Sequence, residues 1–257
     1  MDNYMTIAIL QARMSSRRLP GKVLMDINGK PMIYWQLQRI YQAKSVEKVI
    51  VATSVDATDD PLVDFLMSVK AEYVRGSLDN VKERFDSVID QFPRESFIRL
   101  TGDCPLVMPG LIDEMVNTFH EANVDYLSNT IEPTYPDGLD IEVVKSEAFR
   151  KLDNSTLSKA EMEHVTFGLY SRKGEFTTQN FVNSQDLSNL RWTVDYQEDL
   201  DFVRIIFSHF KSREATFNFQ DLLDYLQNNN EIKSTIDAGR RNESLRTMLT
   251  EQGSVIE

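Results

Sequence analysis

Residues 5–22, "MTIAILQARMSSRRLPGK", join an apolar run to a loop that is rich in cations. The run "MTIAIL" predicts a buried strand, and the proline and glycine near the end of the loop favour an irregular backbone. No acidic residue stands between Asp2 and Asp26, whereas the loop holds four cations, Arg13, Arg17, Arg18 and Lys22. Backbone N–H groups and cations in this arrangement predict a site for a triphosphate.

The loop is not a Walker A sequence, because it lacks the glycine spacing and the Lys-Ser/Thr pair of that motif. Taken alone, it leaves a second interpretation open, in which the cations are solvated and pair with acidic residues nearby. The rest of the chain has to distinguish the two.

Short strand-like runs alternate with helical patterns through the first half of the chain. The runs are "KVIVA" at 48–52, "AEYV" at 71–74, "FIRL" at 97–100 and "VDYL" at 124–127. Between them apolar residues recur at helical spacing, as in Val81, Phe85, Val88 and Phe92. This alternation predicts an α/β fold with a mainly parallel sheet that helices cover on both faces. Ligands of such sheets bind beyond the carboxyl ends of the strands.

The length of 257 residues predicts one domain at 1–230, followed by a polar C-terminal tail at 231–257. The alternation breaks after about Asn129, where "EPTYPDGLDIEVV" combines turn residues with a strand-like run. A helical pattern around 157–170 and the run "TTQNFV" follow. We expect residues 130–185 to form an insertion at the open edge of the sheet, of the kind that serves substrate recognition or dimerisation.

Composition argues against several classes of function. The chain has 28 basic and 40 acidic residues, a net charge of −12, so we expect no nucleic-acid partner and no anionic membrane surface. We find no signal-like segment and no apolar run of membrane-spanning length, which predicts a soluble, cytoplasmic protein. Cys104 is the only cysteine, which excludes an internal disulfide and a cysteine-based zinc site. A metal would need oxygen ligands, which favours magnesium.

Two aspartates that are distant in sequence each follow an apolar run and precede a helical pattern. Asp103, in "TGDCP", follows "FIRL", and Asp195 follows "RWTV", which we expect to be a strand. Carboxylates at neighbouring strand ends are suitable ligands for a magnesium ion that bridges nucleotide phosphates. Helix capping is the alternative role for each aspartate taken singly. We expect Cys104 to be a small buried filler and not a nucleophile.

Polar side chains in the expected insertion form a mixture that suits a polyhydroxylated sugar. They are Tyr135, Asp137, Asp140, Glu142, Glu163 and His164. Each of them has a structural alternative when taken singly, such as the turn that Asp137 and Gly138 favour. The strand ends "ATS" at 52–54 and "RGS" at 75–77 either line a base or ribose pocket or only close loops.

The order "QARMSSRRLPGK … ATS … RGS … RLTGDCP … YPDGLDIEV … EHVT … LRWTVD" resembles the spore-coat-polysaccharide type of sugar cytidylyltransferases. These are relatives of the CMP-sialic acid and CMP-Kdo synthetases. The similarity extends from about Ile7 to about Phe210. It implies a Rossmann-like α/β nucleotidyltransferase fold, a homodimer formed through the inserted element, and the use of CTP and Mg²⁺.

The resemblance also implies roles for particular residues. Arg13, Lys22, Asp103 and Asp195 would be catalytic, with the two aspartates as metal ligands. The nucleotide would be bound by Gln11, Ala12, Arg13, Ser15, Lys22, Thr53, Ser54, Arg75, Thr101 and Asp103. The acceptor would contact Tyr135, Asp137, Glu163, His164 and Arg191. Arg18 stands where many relatives have a small polar residue, so we expect Arg17 and Arg18 to matter less than Arg13 and Lys22.

The expected reaction transfers CMP from CTP to a sugar acid of the nonulosonic type, or a related sugar, and releases pyrophosphate for polysaccharide or glycan synthesis. Two other functions stay open. A metal-dependent glycosyltransferase of similar architecture usually has an Asp-x-Asp motif, where this chain has "GDCP" with one acid. A non-catalytic nucleotide-binding module would have lost the phosphate loop or the carboxylates, and both are intact here.

Overall fold

The computed structural model describes residues 5–235 and residue 250. The strands, in chain order, are β1 (Thr6–Gln11), β2 (Asp26–Ile27), β3 (Lys30–Pro31), β4 (Val46–Ser54), β5 (Glu72–Gly76), β6 (Ser96–Thr101), β7 (Tyr126–Ser128), β8 (Glu142–Lys145) and β9 (Thr178–Asn180). Strands β2 and β3 form a separate hairpin, and the other seven form one sheet. Each of the runs predicted as strands in the first half of the chain overlaps a strand of this sheet.

The sheet has the order β5–β4–β1–β6–β8–β7–β9. Strands β5, β4, β1 and β6 are parallel to one another, and β9 is parallel to β7, whereas β8 is antiparallel to both β6 and β7. This is the mainly parallel α/β sheet that the alternation predicts. The four parallel strands point the same way. Their last residues therefore lie along the same end of the sheet, and these are Gln11, Ser54, Gly76 and Thr101.

The helices are α1 (Met32–Ile40), α2 (Asp60–Ser68), α3 (Val81–Gln91), α4 (Pro109–Ala122), α5 (Ser146–Arg150), α6 (Lys159–Glu163), α7 (Phe167–Ser171), α8 (Gln197–His209) and α9 (Phe219–Asn228). Short 3-10 helices cover Lys22–Leu24, Ala57–Asp59 and Asn230–Thr235. Among residues 5–235, none of the helices combines the length and the apolar character that a membrane crossing requires.

Alternation along β1 divides the core into two layers. Ala8 and Leu10 face the layer that contains α1, α2, α4, α8 and α9, and Ile7 and Ile9 face the layer that contains α3, α5 and α7. All four side chains are at most 1% exposed. Each fully buried leucine or isoleucine contributes about 1.5–3 kcal/mol through the hydrophobic effect. Helices are therefore held against both faces of the sheet, as the sequence predicts.

The prediction that "RWTV" is a strand is wrong. Residues 191–194 contribute only an isolated bridge between Arg191 and Asp137, outside the sheet. Their apolar character has another cause, because Trp192 and Val194 are completely buried. The segment is an extended, buried connection that leads into α8.

The prediction of a single helix around 157–170 is also wrong. Two five-residue helices, α6 and α7, occupy this region, and His164 ends the first of them. The backbone N–H of His164 closes α6 on the carbonyl of Ala160, and that of Phe167 bonds back to the carbonyl of His164. The chain turns between these two bonds, which brings His164 and Thr166 to the edge of the sheet.

The region expected to be an insertion, residues 130–185, contains β8, α5, α6, α7 and β9. It supplies the antiparallel strand beside β6 and the outermost strand of the sheet. The expected tail at 231–257 lies largely outside the described residues, apart from the 3-10 turn that ends at Thr235 and residue 250.

Candidate active site

One buried carboxylate anchors the cationic loop after β1. Asp59 is fully buried and accepts hydrogen bonds from the backbone N–H of Met14 (2.6 Å) and of Ser54 (3.0 Å). It also accepts from the hydroxyls of Thr53 and Ser54. Asp59 therefore fastens the loop to the end of β4, and it explains why "ATS" carries two hydroxyl residues.

Lys22 joins the two aspartates that the sequence singles out. Its Nζ lies 3.2 Å from Oδ2 of Asp103 and 2.9 Å from Oδ1 of Asp195, and it donates to the carbonyl of Val194 at 2.7 Å. Gly21, with φ of +74°, makes the turn that directs Lys22 inward, and Lys22 is only 7% exposed. The loop and the two carboxylates thus form one cluster, which we call the lysine–aspartate centre: Lys22, Asp103 and Asp195.

The backbone around Trp192 brings Asp195 to Asp103. The N–H of Val194 donates to the carbonyl of Asp103 at 2.8 Å, and the hydroxyl of Thr193 donates to the same oxygen at 3.2 Å. Gly138 makes this approach possible, since a Cβ there would lie 2.4 Å from the Thr193 nitrogen. The pairing of Asp103 and Asp195 therefore depends on a loop crossing and not on two adjacent strands.

Arg191 organises the carboxylates around this centre. Its guanidinium bonds Asp137 at 2.7 Å and Asp195 at 2.8 Å, with a longer contact to Asp199 at 3.4 Å. Asp199 also accepts from the backbone N–H groups of Asp195 and Tyr196 at the start of α8. Arg18 adds a second ion pair to Asp195, at 2.8 Å. Both oxygens of Asp195 are consequently engaged by cations.

These contacts fix the charge states of the lysine–aspartate centre. Burial alone would lower the pKa of the Lys22 ammonium, but the charges of Asp103 and Asp195 outweigh it and raise that pKa above its ordinary value. Burial would raise the pKa of both carboxylates, whereas Lys22 lowers it, and the pKa of each lies below its usual range. At neutral pH all three groups are charged.

A cavity of about 740 Å³ opens beside the centre, beyond the carboxyl ends of β1 and β6. Of the residues that the structure describes, eight with basic side chains line it, although the chain as a whole is acidic: Arg13, Arg17, Arg18, Lys22, Arg84, Arg99, Lys159 and Arg191. Six carboxylates line it as well: Asp103, Asp137, Asp140, Glu142, Glu163 and Asp195. A local excess of positive charge attracts an anionic ligand despite the net charge of the molecule.

Most of the residues that the sequence suggests for the site lie on this cavity. They are Gln11, Ala12, Arg13, Lys22, Thr101, Asp103, Asp137, Glu163, His164, Arg191 and Asp195. Five others do not line it, namely Ser15, Thr53, Ser54, Arg75 and Tyr135.

Four of the five contact other parts of the fold instead, whereas the hydroxyl of Ser15 is buried and has no hydrogen-bond partner among the described residues. The hydroxyls of Thr53 and Ser54 point to Asp59, and Arg75 bonds the carbonyl of Ser54 and the carboxylate of Asp60. Tyr135 is 6% exposed and packs on Phe181 and Phe219. For the two strand ends, the loop-closing alternative describes this structure better than a pocket lining does.

The floor of the cavity is a row of polar side chains on three adjacent strands. Arg99 of β6 stands opposite Glu142 of β8 and forms an ion pair with it, and Gln11 of β1 accepts from Arg99 at 3.2 Å. The hydroxyl of Tyr126 donates to the other oxygen of Glu142 at 3.0 Å. Burial, with a smaller effect of Arg99, lowers the pKa of the neighbouring His164 to about 4, so its imidazole is neutral at physiological pH.

No role for Asp59, Arg84, Arg99 or Asp199 was predicted from the sequence. Arg99 had a visible signal, because an arginine inside the apolar run "FIRL" is buried with its strand and needs a partner for its charge. Asp59 ends a short 3-10 helix in an acidic stretch, Asp199 lies in the acidic first turn of α8, and Arg84 lies on the amphipathic α3. A charged side chain is common in each of these settings, so none of the three stands out in the sequence. Their roles follow from contacts between elements that are distant in sequence.

Only Asp103 and Asp195 of the described carboxylates meet at the lysine–aspartate centre. No group of three or more His, Cys, Asp or Glu side chains within the described part of the chain is arranged to hold a metal ion. Oδ1 of Asp103 makes no ion pair within residues 5–235, and its side chain is 30% exposed. Asp103 therefore offers a hard oxygen ligand to a cation such as Mg²⁺ more readily than Asp195 does.

Comparison with solved structures supports this architecture. A cytidylyltransferase structure from Leptospira borgpetersenii superposes with a TM-score of 0.84 and 28% identity, covering 90% of this chain and 97% of that one. A structure of CMP:2-keto-3-deoxy-manno-octonic acid synthetase complexed with CTP gives a TM-score of 0.58 at 19% identity, covering 80% and 99%. The second likeness shows the shared fold.

Sequence comparison identifies the family. The spore coat polysaccharide biosynthesis protein SpsF of Bacillus subtilis is 31% identical over 209 residues, which cover 77% of this chain and 85% of that protein. Residues 7–232 match the family model described as Cytidylyltransferase. The chain therefore belongs to the cytidylyltransferase family, and it is a CTP-dependent nucleotidyltransferase.

Proposed function

We propose that this enzyme transfers CMP from CTP to a hydroxyl group of a sugar acid of the nonulosonic type and releases pyrophosphate, in the synthesis of a surface polysaccharide or glycan. One observation supports the proposal most directly: Lys22 contacts both Asp103 and Asp195 at the wall of a cation-lined cavity. A charged centre beside a cation-lined cavity that can hold phosphates suits nucleophilic displacement at a phosphorus atom.

In this reaction the acceptor oxygen attacks the α-phosphorus of CTP. The new oxygen–phosphorus bond forms as the bond to the oxygen bridging the α- and β-phosphorus atoms breaks, and pyrophosphate leaves while the hydroxyl proton passes to water. Arg13 and Lys22 hold the phosphates and offset the negative charge on the departing pyrophosphate. Arg191 holds Asp195 in place through an ion pair within a buried network.

The donor set fits Mg²⁺, because Asp103 and Asp195 provide carboxylate oxygens beside the cavity that would receive the phosphates. When bound, Mg²⁺ would supply charge neutralisation of the phosphate oxygens. We propose Asp103 and Asp195 as the residues that would hold it. In the structure, Lys22 holds these two carboxylates together.

The polar floor of the cavity supports a polyhydroxylated acceptor. Arg99 and Glu142 present fixed donors and acceptors, and neutral His164 supplies either, depending on its tautomer. Asp137, Glu163 and Arg191 line the same cavity. We also propose a homodimer, formed through the inserted element that ends the sheet at β9, and a cytoplasmic location, where CTP and Mg²⁺ are present.

The test is a pyrophosphate-release assay on the purified protein with Mg²⁺. CTP, UTP, ATP and GTP are each combined with a panel of acceptors that contains nonulosonic acids, other sugar acids, neutral sugars and phosphorylated polyols. We expect release with CTP and a nonulosonic acid, and a CMP-linked product by mass spectrometry. Sedimentation velocity on the same sample measures the oligomeric state.

Two results would overturn the proposal. Consumption of a nucleotide sugar without pyrophosphate release would indicate a glycosyltransferase. Tight CTP binding without turnover on the complete panel would indicate a nucleotide-binding module. A CDP-linked product would keep the enzyme class and replace the acceptor with a phosphorylated one.

A further inference from the structure

Arg84 on α3 is a buried cation that has no role in the site described so far. Its residue is 1% exposed, and it lines the cavity. Nε and Nη2 donate to the carbonyl of Ser77 at 3.0 and 2.6 Å, and Nη2 also donates to the carbonyl of Leu78 at 3.0 Å. These bonds fix the guanidinium against the loop between β5 and α3.

The third nitrogen of Arg84 is unsatisfied. Nη1 is buried and has no hydrogen-bond partner within the described residues. A buried donor without an acceptor destabilises the fold, and more so when the group is charged. Within residues 5–235, no carboxylate forms an ion pair with Arg84 either. Among the described residues, Nη1 therefore has no acceptor and the guanidinium has no ion-pair partner.

The surroundings of Arg84 disfavour its positive charge, which a bound anion would stabilise. Burial lowers the pKa of its guanidinium to about 10, and the nearby charge of Arg13 acts in the same direction. The charge of Asp59 acts in the opposite direction on that pKa, but Asp59 already accepts hydrogen bonds from Met14, Thr53 and Ser54. Two cations that line one cavity and repel each other are stabilised together when an anion binds between them.

We propose that Arg84 and Arg13 form an anion clamp that binds a phosphate group of the nucleoside triphosphate, with Nη1 of Arg84 as a donor to a phosphate oxygen. This inference rests on the proposed function for the identity of the ligand. A phosphate of the triphosphate fits better than an acceptor carboxylate, because the clamp lies on the side of the cationic loop. At the floor of the cavity, where we place the acceptor, Glu142 already neutralises Arg99.

The shape of the neighbouring strand agrees with a fixed position for Arg84. Gly76 ends β5, and a Cβ there would lie 3.0 Å from Cγ and 3.1 Å from Cα of Arg84. The absence of a side chain at position 76 lets the stem of Arg84 pass close to the strand. The guanidinium is thus held in place before a ligand arrives, which reduces the entropy lost on binding.

The test measures binding of inorganic tripolyphosphate by titration calorimetry, without Mg²⁺ and without a nucleoside. We expect Arg84→Gln to weaken tripolyphosphate binding by about tenfold to a hundredfold, the loss of one charge-assisted contact. Arg84→Lys keeps the charge but not the fork of donors, so we expect an intermediate affinity. Cytidine binding should be unchanged in both variants.

A matched control separates binding from folding. Lys82→Met removes another buried cation of α3, one that pairs with Asp86 and does not line the cavity. We expect it to lower the melting temperature and leave the affinity for tripolyphosphate unchanged. In turnover assays Arg84→Gln should raise KM for CTP more than it lowers kcat.

Unchanged tripolyphosphate affinity in Arg84→Gln would overturn the clamp. If that variant does not fold, the arginine side-chain NMR signals of the wild type test whether Arg84 contacts tripolyphosphate. The signal that is absent from Arg84→Lys should shift when tripolyphosphate is added, and no shift would refute the contact. Tripolyphosphate binding that depends on Arg84, in a protein without CTP turnover, would support the clamp and refute the proposed function.

Discussion

At the scale of single residues, the lysine–aspartate centre depends on compensated charge. Lys22 is buried together with Asp103 and Asp195, and each group stays ionised because its neighbours offset the loss of hydration. Removing one partner leaves the others with an unbalanced charge. Substitutions here should consequently affect activity before they affect secondary structure.

Asp103→Asn should lower kcat for pyrophosphate release by about 10²–10³, the usual cost of losing one electrostatic stabiliser. The amide is nearly isosteric but cannot balance the charge of Lys22 or bind a cation well. Initial rates at saturating CTP and Mg²⁺ measure the effect. Asp201→Asn, on the exposed face of α8 where Asp201 pairs with Arg204, is the matched control and should keep wild-type turnover. Normal turnover in Asp103→Asn would refute the assignment.

His164 should make the protein less stable as the pH falls. Its pKa is lowered from 6.5 to about 4 in the folded chain, so the unfolded chain binds a proton in this range that the folded chain does not. Stability must then decrease as the pH drops from about 6.5 towards 4. Thermal melts between pH 7 and 4.5 should show a smaller loss of Tm in His164→Gln than in the wild type. Parallel curves of Tm against pH for the two proteins would contradict the lowered pKa of His164.

At the scale of elements, close backbone packing brings the two aspartates together. Gly138 has φ of +106°, a conformation that a side chain disfavours, and it lies against the Trp192–Thr193 backbone. That backbone in turn bonds the carbonyl of Asp103 through Val194. The position of Asp195 therefore depends on a residue that has no chemistry of its own.

Gly138→Ala should destabilise the protein by about 2–4 kcal/mol and also reduce kcat, because the Trp192–Thr193 backbone has to move. Urea unfolding and initial-rate assays measure the two effects. Gly110→Ala is the matched control: position 110 lies in α4, and apart from the backbone of that helix and the two neighbouring residues no atom of the described residues is within 4 Å of the added Cβ. It should be neutral or slightly stabilising. Equal stability of the two variants would show that the contact at Gly138 relaxes without cost.

At the scale of the whole molecule, one sheet supports two separate helical layers. Both tryptophans belong to the layer of α1 and α8. Trp192 is completely buried in the hydrophobic cluster of this layer, and the partly buried Trp35 packs against that cluster. The other layer contains a cluster of three phenylalanines, Phe85, Phe97 and Phe149, with ring centroids 5.1–6.2 Å apart. Tryptophan fluorescence thus reports on one layer, whereas far-UV circular dichroism reports on both.

The two signals should change together in urea, because both layers pack on the same parallel strands and neither keeps a core without them. Fluorescence and circular dichroism measured on one sample test this expectation. A fluorescence midpoint that clearly differs from the circular dichroism midpoint would show that the layers unfold separately.

Much of the fold was predictable from the sequence, and less of the site was. Strands β1, β4 and β6 are visible as apolar runs because burial on both faces imposes that composition. Residues 191–194 have the same composition for a different reason, burial without strand pairing, and the prediction there was wrong. Arg13, Lys22, Asp103 and Asp195 stand in recognisable motifs. The bonds from the hydroxyls of Thr53 and Ser54 to Asp59 could not be predicted, because Asp59 lies in another element.

The sequence by itself determined the α/β class, the parallel strands and the family, since hydrophobic periodicity and local motifs are properties of neighbouring residues. Only the tertiary structure decided which charges meet. Lys22 reaches Asp195 across 173 positions of the chain, and Arg84 joins the cavity from a helix that has no motif. Such contacts depend on the packing of whole elements, and a linear pattern does not encode the distance between two side chains on different elements.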